Sequence, residues 1–214
     1  KVQKMFGTHD LLFFIFSGWL LNLIPGADSL YIIGRGASQG LRAGSIAAFG
    51  IGTGIFMHIM AAALGLSAIL ATSAAAFTIL KLIGVAYLMY MGISMLLTSK
   101  VANETQMVEI EKNVSLRKVY TQGILTNILN PKIALFFLAF VPQFINADAP
   151  NKALAFIFLG SIFTINGMIW CNFLAWASAK SSNLLKKNIF VTRYLQKSAG
   201  LLFIYFGLKM AFED

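Results

Sequence analysis

The chain has 214 residues, of which 58% are apolar and only 12% are charged, and its formal net charge is +9. Soluble domains carry about 25% charged residues, so the composition excludes an ordinary soluble protein. Charge-free stretches cover 43–80, 82–99 and 153–179, and each can hold the roughly 20 apolar residues that a helix needs to cross a bilayer. The cations lie mainly in short connections, where they orient a membrane protein, and this argues against nucleic-acid binding.

We predict an all-α integral membrane protein that forms one transporter domain over residues 1–214. Six transmembrane helices are expected at 10–34, 44–71, 75–98, 118–145, 153–179 and 197–212. The connections between them are short except for 99–117, which is polar and charged, and 180–196, which is basic and rich in Ser and Asn.

Two of the apolar segments contain a proline in the middle. The first reads Gly18-x-x-x-Asn22-x-x-Pro25-Gly26-Ala27-Asp28, and the second reads Gly123-x-x-x-Asn127-x-x-Asn130-Pro131-Lys132. Proline removes a backbone donor and clashes with the preceding turn, so helices one and four are predicted to break at Pro25 and Pro131. Paired broken helices in the two halves of a chain indicate a transporter binding site.

A second pair of motifs supports an internal repeat. Helix three carries Tyr90-x-Gly92-x-x-Met95 and helix six carries Tyr205-x-Gly207-x-x-Met210. Repeat one would cover 10–98 and repeat two 118–212, joined by the loop 99–117. Because each repeat has three helices, the second would cross the membrane in the opposite sense. The alternative is two unrelated three-helix halves.

The distribution of cations predicts the orientation. One side of the membrane collects eleven: Arg35, Arg42, Lys100, Lys112, Arg117, Lys118, Lys180, Lys186, Lys187, Arg193 and Lys197. The other side collects five: Lys1, Lys4, Lys81, Lys152 and Lys209. The loops 35–43, 99–117 and 180–196 are therefore expected in the cytoplasm, and both termini outside.

Asp28 and Lys132 are charged residues in the interior of predicted spans. A charge at the bilayer centre costs about 2.5–3.5 kcal/mol on insertion scales, so it indicates a function or an ion pair. One interpretation is an Asp28–Lys132 ion pair that only locks two helices together. The other is a binding site for a zwitterion, and the two can coexist.

The breaks offer groups for both ends of an amino acid. Pro25 leaves the Leu21 carbonyl without its helical partner, and Pro131 does the same to Asn127. Those carbonyls and Asp28 suit an ammonium, whereas half-helix N-termini and Lys132 suit a carboxylate. The predicted substrate-binding residues are Asn22, Pro25, Gly26, Asp28, Asn127, Asn130, Pro131 and Lys132, with Asp28 also as the proton-coupling residue.

Other polar residues have alternative interpretations. The asparagines beside the breaks can cap freed backbone groups instead of binding substrate, and Asn166 and Asn172 on helix five are further candidates. His58 can relay a proton or form a structural hydrogen bond. Cys171 is expected to be a buried structural residue. Two histidines without a ligand cluster predict no metal site, and no phosphate-binding loop or cofactor motif occurs.

Several blocks together resemble the LysE/RhtB family of bacterial amino-acid exporters. They are Asn22 through Asp28, Gly40 through Gly44, Gly84 through Gly92, Gly123 through Asn127, Asn130 through Phe137, Pro142 through Phe144, and Gly200 through Gly207. The chain departs from the family where Ala27 follows Pro25-Gly26 in place of a common proline. It also has Asn166, four residues before Trp170, where the family often has an acid.

The resemblance implies proton-driven efflux of amino acids across the bacterial inner membrane by alternating access. With few intramembrane acids, a small neutral amino acid or derivative is the expected substrate. The expected partners are this substrate, protons and the bilayer, without nucleic acid, and a homodimer would enlarge the buried surface of so small a bundle. The alternatives are a passive channel or scaffold, and an intramembrane hydrolase that uses Ser29 and His58; no enzymatic activity is expected.

Overall fold

The computed structural model describes residues 6–72, 74–97, 114–146, 148–180 and 189–212. Over these residues the chain is helical apart from short connections and an antiparallel bridge between Thr8 and Ile145. The helices are α1 (Leu11–Leu23), α2 (Ala27–Gln39), α3 (Leu41–Ala61), α4 (Ser67–Thr72), α5 (Ala74–Leu97), α6 (Leu116–Ile128), α7 (Pro131–Leu135), α8 (Lys152–Lys180) and α9 (Ile189–Phe212). A π-helical turn, Ala62–Leu66, joins α3 to α4, and another, Phe136–Phe140, continues α7 into a 3₁₀ turn at Val141–Phe144.

Two helix pairs are sharply bent. The axes of α1 and α2 differ by 54°, and α6 differs by 49° from the helical segment Pro131–Phe144. In the second pair Asn130 caps α7, because its side chain accepts a hydrogen bond from the Lys132 backbone N–H at 3.0 Å. Pro131 occupies the first helical position, where its missing N–H removes no helical hydrogen bond.

Two continuous helical segments within the described residues are long and apolar enough to cross a bilayer. They are Leu41–Ile69 and Lys152–Lys180, and the number rises to four if each bent pair forms one span. The chain is therefore a helical protein with two to four candidate spans by this criterion. Six spans arranged as an inverted repeat stay a prediction.

Several predicted boundaries are wrong. The connection expected at 35–43 is a single residue, Gly40 (φ +83°), because α2 continues to Gln39. Arg35 is buried on α2 and donates to the side-chain oxygens of Gln39 at 3.1 Å and Gln122 at 2.9 Å. These polar residues satisfy one another within helices and so do not form a loop.

The sixth helix also differs from its predicted range. Helix α9 begins at Ile189, eight residues before the expected start at 197. The middle of each long predicted connection, 98–113 and 181–188, lies outside the described residues.

The helices pack so that the two bent pairs meet. Helix α3 packs against α6 and α8, α2 packs against α3 and α8, and α5 packs along α9. Behind the bends lies an aromatic cluster composed of Phe14, Phe136, Phe140, Phe144 and Phe163. The rings of Phe136 and Phe163 are 4.4 Å apart between centroids, a separation that fixes the segment after α7 against α8.

Candidate functional site

A hydrogen bond joins the two breaks. Asp28 lies in the first turn of α2, where the free N–H groups and the helix dipole favour an anion. Asn127 lies near the end of α6 and is fully buried. Its Nδ2 donates to Asp28 Oδ2 at 2.9 Å. Two residues that the sequence predicted for one site, 99 positions apart, are thus in direct contact.

The Lys132 ammonium binds backbone carbonyls at the first break. Its Nζ donates to the Leu21 carbonyl at 3.2 Å and to the Ile24 carbonyl at 3.3 Å. Pro25 is four residues after Leu21, so the Leu21 carbonyl lacks its helical donor and accepts from Lys132 instead. A Cβ on Gly26 would lie 3.4 Å from Nζ, so Gly26 leaves room for the ammonium.

Asp28 and Lys132 form no direct ion pair in the described structure. The interpretation of these two residues as an ion pair that only locks two helices together therefore has no direct contact to support it in this structure. The two charges still attract each other at longer range. The physical reason is competition: carbonyls freed at the break lie within reach of the ammonium, and Asn127 already donates to the carboxylate.

At the second break the freed carbonyl belongs to Asn127. It accepts from the Asn130 backbone N–H at 3.0 Å and from His58 Nε2 at 3.2 Å. The His58 ring stacks on Phe137, with centroids 6.1 Å apart and planes 4° from parallel. His58 thus forms the structural hydrogen bond that was one of its two sequence interpretations, and the proton relay stays a prediction.

Four polar atoms around the breaks are buried without a hydrogen-bond partner among the described residues. They are Asn22 Nδ2, Asp28 Oδ1, Asn127 Oδ1 and Asn130 Nδ2. Each such atom costs about 1–3 kcal/mol, so an accumulation of them needs an explanation. The Asn130 amide also lies close enough to interact with the Asp28 carboxylate, so the four atoms form one incompletely bonded polar cluster that a bound polar group would complete.

Helix α8 borders the same region. A Cβ on Gly167 would lie 3.6 Å from both Asn22 amide atoms, and Cys171 is buried on the same helix. Two α8 donors, Asn166 Nδ2 and Trp170 Nε1, are also buried without a partner in the described chain.

The sequence analysis identified one of the two α8 donors and missed the other. Asn166 was a sequence candidate, whereas Trp170 was not. Its spacing of four residues from Asn166 is the signal that places both on one helix face. The other candidate, Asn172, donates to the Met168 carbonyl of its own helix at 2.9 Å, so that amide is already satisfied.

A narrow, closed apolar pocket adjoins the Lys132 side chain. Its lining residues come from the first, third, fourth and sixth predicted helices: Leu21, Tyr87, Leu88, Met91, Phe136, Phe140 and Phe203. The breaks thus combine charged and amide groups with an apolar lining, and the space of about 10 Å³ between them is far smaller than a typical small-molecule pocket. The described residues contain no group of three His, Cys, Asp or Glu side chains that could hold a metal ion.

The fold and this site define a multi-pass helical membrane protein with two bent helix pairs that meet around buried charged groups. The chain belongs to the LysE type translocator family, whose model matches residues 19–214. A family of translocators favours a transporter over the intramembrane enzyme that the sequence left as an alternative.

The relatives cover almost the whole chain. The uncharacterized membrane protein YrhP of Bacillus subtilis is 32% identical over 94% of this chain and 98% of its own length. An uncharacterized membrane protein of Pseudomonas aeruginosa is 27% identical over 96% of each chain. The leucine efflux protein of Salmonella typhimurium is 25% identical over 96% of each chain. No solved structure matches the chain.

Proposed function

We propose that this protein is a secondary active exporter of small neutral amino acids across the bacterial inner membrane. The observation that carries the proposal is the Lys132 ammonium on the Leu21 and Ile24 carbonyls. The carbonyls at the first break bind the primary ammonium of Lys132, so they can bind the primary ammonium of a substrate in its place. Membership of a translocator family and relatives named leucine efflux protein support amino-acid export.

Lys132 acts as an internal substitute for the substrate ammonium. The incoming amino acid places its ammonium on the Leu21 and Ile24 carbonyls, beside Asp28 Oδ1, and displaces Lys132. The displaced Lys132 then pairs with the substrate carboxylate in a charge-assisted hydrogen bond. In both the empty and the loaded state, the buried positive charges therefore equal the buried negative charges in number.

The apolar pocket beside Lys132 has a volume of only about 10 Å³ in this structure, so it receives the substrate side chain once the displacement of Lys132 has widened it. Its aliphatic and aromatic lining gives a charged side chain no partner, and burial of an unpaired charge is strongly unfavourable. A neutral aliphatic substrate such as leucine or alanine fits this lining.

Alternating access follows from two related halves that rock around the central site. The two breaks have parallel environments: Asn22 lies against Gly167 on α8, and Asn127 lies against Gly54 on α3. These matching contacts support the inverted repeat over 10–98 and 118–212. Pro25 and Pro131 shape the breaks, and Asn22, Asn127 and Asn130 provide amide groups for substrate.

Asp28 couples export to protons. Its carboxylate attracts the substrate ammonium when ionised, and protonation from outside removes that attraction and releases the substrate. The return of the proton to the cytoplasm resets the carrier, so one proton moves inwards for each amino acid exported.

Asp28→Asn is the test of this proposal. In proteoliposomes containing a labelled panel of leucine, threonine and alanine, the wild type should give saturable counterflow that a pH gradient stimulates. Asp28→Asn should lose the pH stimulation and lower uptake at least about tenfold, because a charge-assisted hydrogen bond contributes roughly 1.5–3 kcal/mol.

Asp148→Asn is the matched control, since Asp148 is an exposed carboxylate outside the helices. It should transport like the wild type. Full gradient-stimulated export by Asp28→Asn would remove Asp28 from the mechanism, and absence of flux for every amino acid would overturn the proposed function.

A further inference from the structure

Helix α8 presents two buried N–H donors for which the described structure contains no acceptor. They are Asn166 Nδ2 and Trp170 Nε1. An indole nitrogen can only donate, so no rotation of the ring turns it into an acceptor. The two residues are four positions apart on one helix, so they share a face and lie one turn from each other.

That face of α8 borders the helix breaks. Gly167, between the two donors, lies against the Asn22 side chain, and Asn22 Nδ2 is a third buried donor without a described partner. The two α8 donors therefore lie on either side, along the chain, of the glycine that contacts Asn22 at the end of α1.

A polar group that the helix itself can satisfy does not need a ligand. Asn172 on the same helix illustrates this, because its amide donates to the Met168 carbonyl. Thr164 likewise donates to the Gly160 carbonyl at 2.8 Å. Asn166 and Trp170 make no such bond, which indicates that their N–H groups serve something other than the helix.

We propose that Asn166, Trp170 and Asn22 form a subsite for the substrate carboxylate. The inference rests on the proposed function and deepens it, since it assigns the anionic end of the substrate to named neutral donors. A carboxylate only accepts hydrogen bonds, and its bonds to N–H groups are charge-assisted. Uncharged donors hold the carboxylate beside Lys132 without adding another fixed charge to the membrane interior.

This subsite makes the protein select amino acids over the corresponding amines. Leucine and 3-methylbutylamine have the same side chain and the same ammonium, and they differ by the carboxylate. The donors on α8 should contribute to the affinity for leucine and contribute nothing to the affinity for the amine.

The experiment compares binding of these two ligands by calorimetry in detergent, with threonine and alanine run in parallel. The variants are Trp170→Phe, which keeps an aromatic ring but removes the N–H, and Asn166→Ala. Trp176→Phe is the matched control, because Trp176 is an exposed indole on the same helix and contacts Lys180. Thermal unfolding of each variant identifies any that fails to fold.

Trp170→Phe should weaken leucine binding at least about tenfold and leave binding of 3-methylbutylamine within about twofold of the wild type. Asn166→Ala should act in the same direction, and Trp176→Phe should change neither ligand. Equal losses for leucine and the amine, or no loss in folded Trp170→Phe and Asn166→Ala, would overturn the subsite. If the wild type binds no amino acid at all, the proposed function itself fails, and the subsite fails with it.

Discussion

At the scale of single residues, a side-chain donor binds a backbone carbonyl at each of the two breaks, but the donor residue differs. At the first, Lys132 donates to the Leu21 carbonyl, and at the second, His58 donates to the Asn127 carbonyl. Inside a membrane an unsatisfied carbonyl costs several kcal/mol. The Leu21 carbonyl receives its donor from another helix, whereas the Asn127 carbonyl accepts from His58 in addition to the Asn130 backbone N–H of its own segment. His58 therefore has a structural reason to be present before any role in proton transfer is invoked.

Substitution of His58 separates these two roles. His58→Gln keeps a donor for the Asn127 carbonyl, so export in proteoliposomes should stay within about twofold of the wild type with an unchanged pH dependence. His58→Leu removes the donor and should cost about 1 kcal/mol of unfolding free energy, with a several-fold lower export rate.

His9→Gln is the control, because His9 lies outside the helices and contacts Asp10. If His58→Gln were as inactive as His58→Leu and its export no longer responded to a pH gradient, His58 would be a proton relay.

At the scale of elements, close approach of helices fixes the position of the site. Gly54 on α3 lies against the Asn127 side chain on α6: a Cβ there would be 2.7 Å from Asn127 Cβ and 2.8 Å from Oδ1. Lipid-embedded helices associate through such small residues, because burial of apolar surface gives no driving force there. The orientation of Asn127 towards Asp28 thus depends on the absence of a side chain at Gly54.

Gly54→Ala should therefore be harmful in spite of the better helix propensity of alanine. Overpacking costs about 1–3 kcal/mol, which exceeds the roughly 0.5–1 kcal/mol that Gly→Ala contributes in a helix. The melting temperature in detergent should fall, and counterflow should fall with it because Asn127 is displaced from Asp28.

Gly65→Ala is the matched control, since a Cβ at Gly65 meets nothing within 4 Å. It should melt at or slightly above the wild-type temperature. A Gly54→Ala variant with wild-type stability and counterflow would contradict the packing argument.

At the scale of the whole molecule, contacts between the two halves occur on both sides of the site. Towards one end, Tyr31 donates to the Val119 carbonyl at 2.8 Å and Arg35 donates to Gln122. Towards the other end, the His9 backbone donates to the Phe144 carbonyl at 3.0 Å. Rearrangement of these contacts is what alternating access would require, with the Arg35 end facing the cytoplasm in the proposed orientation.

Cysteine labelling tests that orientation. In a Cys171→Ser background, Asp148→Cys should react with a membrane-impermeant maleimide on intact spheroplasts, whereas Arg117→Cys should react only after permeabilisation. Both positions are exposed in the structure. The wild type, whose Cys171 is buried, should stay unlabelled. The opposite labelling pattern would show that the topology is the reverse of the proposed one.

The sequence by itself determined the class of the protein, because hydropathy and charge are properties of the chain before it folds. The order of its motifs indicated the family, to which the chain belongs. Proline chemistry predicted interruptions near Pro25 and Pro131, and α1 and α6 end at Leu23 and Ile128. These features follow from local composition and sterics, which need no knowledge of distant partners.

Only the tertiary structure decided which groups meet. Arg35 was predicted in a loop, but the structure places Gln39 and Gln122 beside it. Nothing in the sequence indicated that the Trp170 N–H would lack an acceptor in the described chain. The sequence left open whether Lys132 pairs with Asp28, and in the structure its ammonium binds carbonyls on α1 and at the break. A buried polar group bonds to whatever lies within about 3 Å, and the packing of helices a hundred residues apart sets that distance.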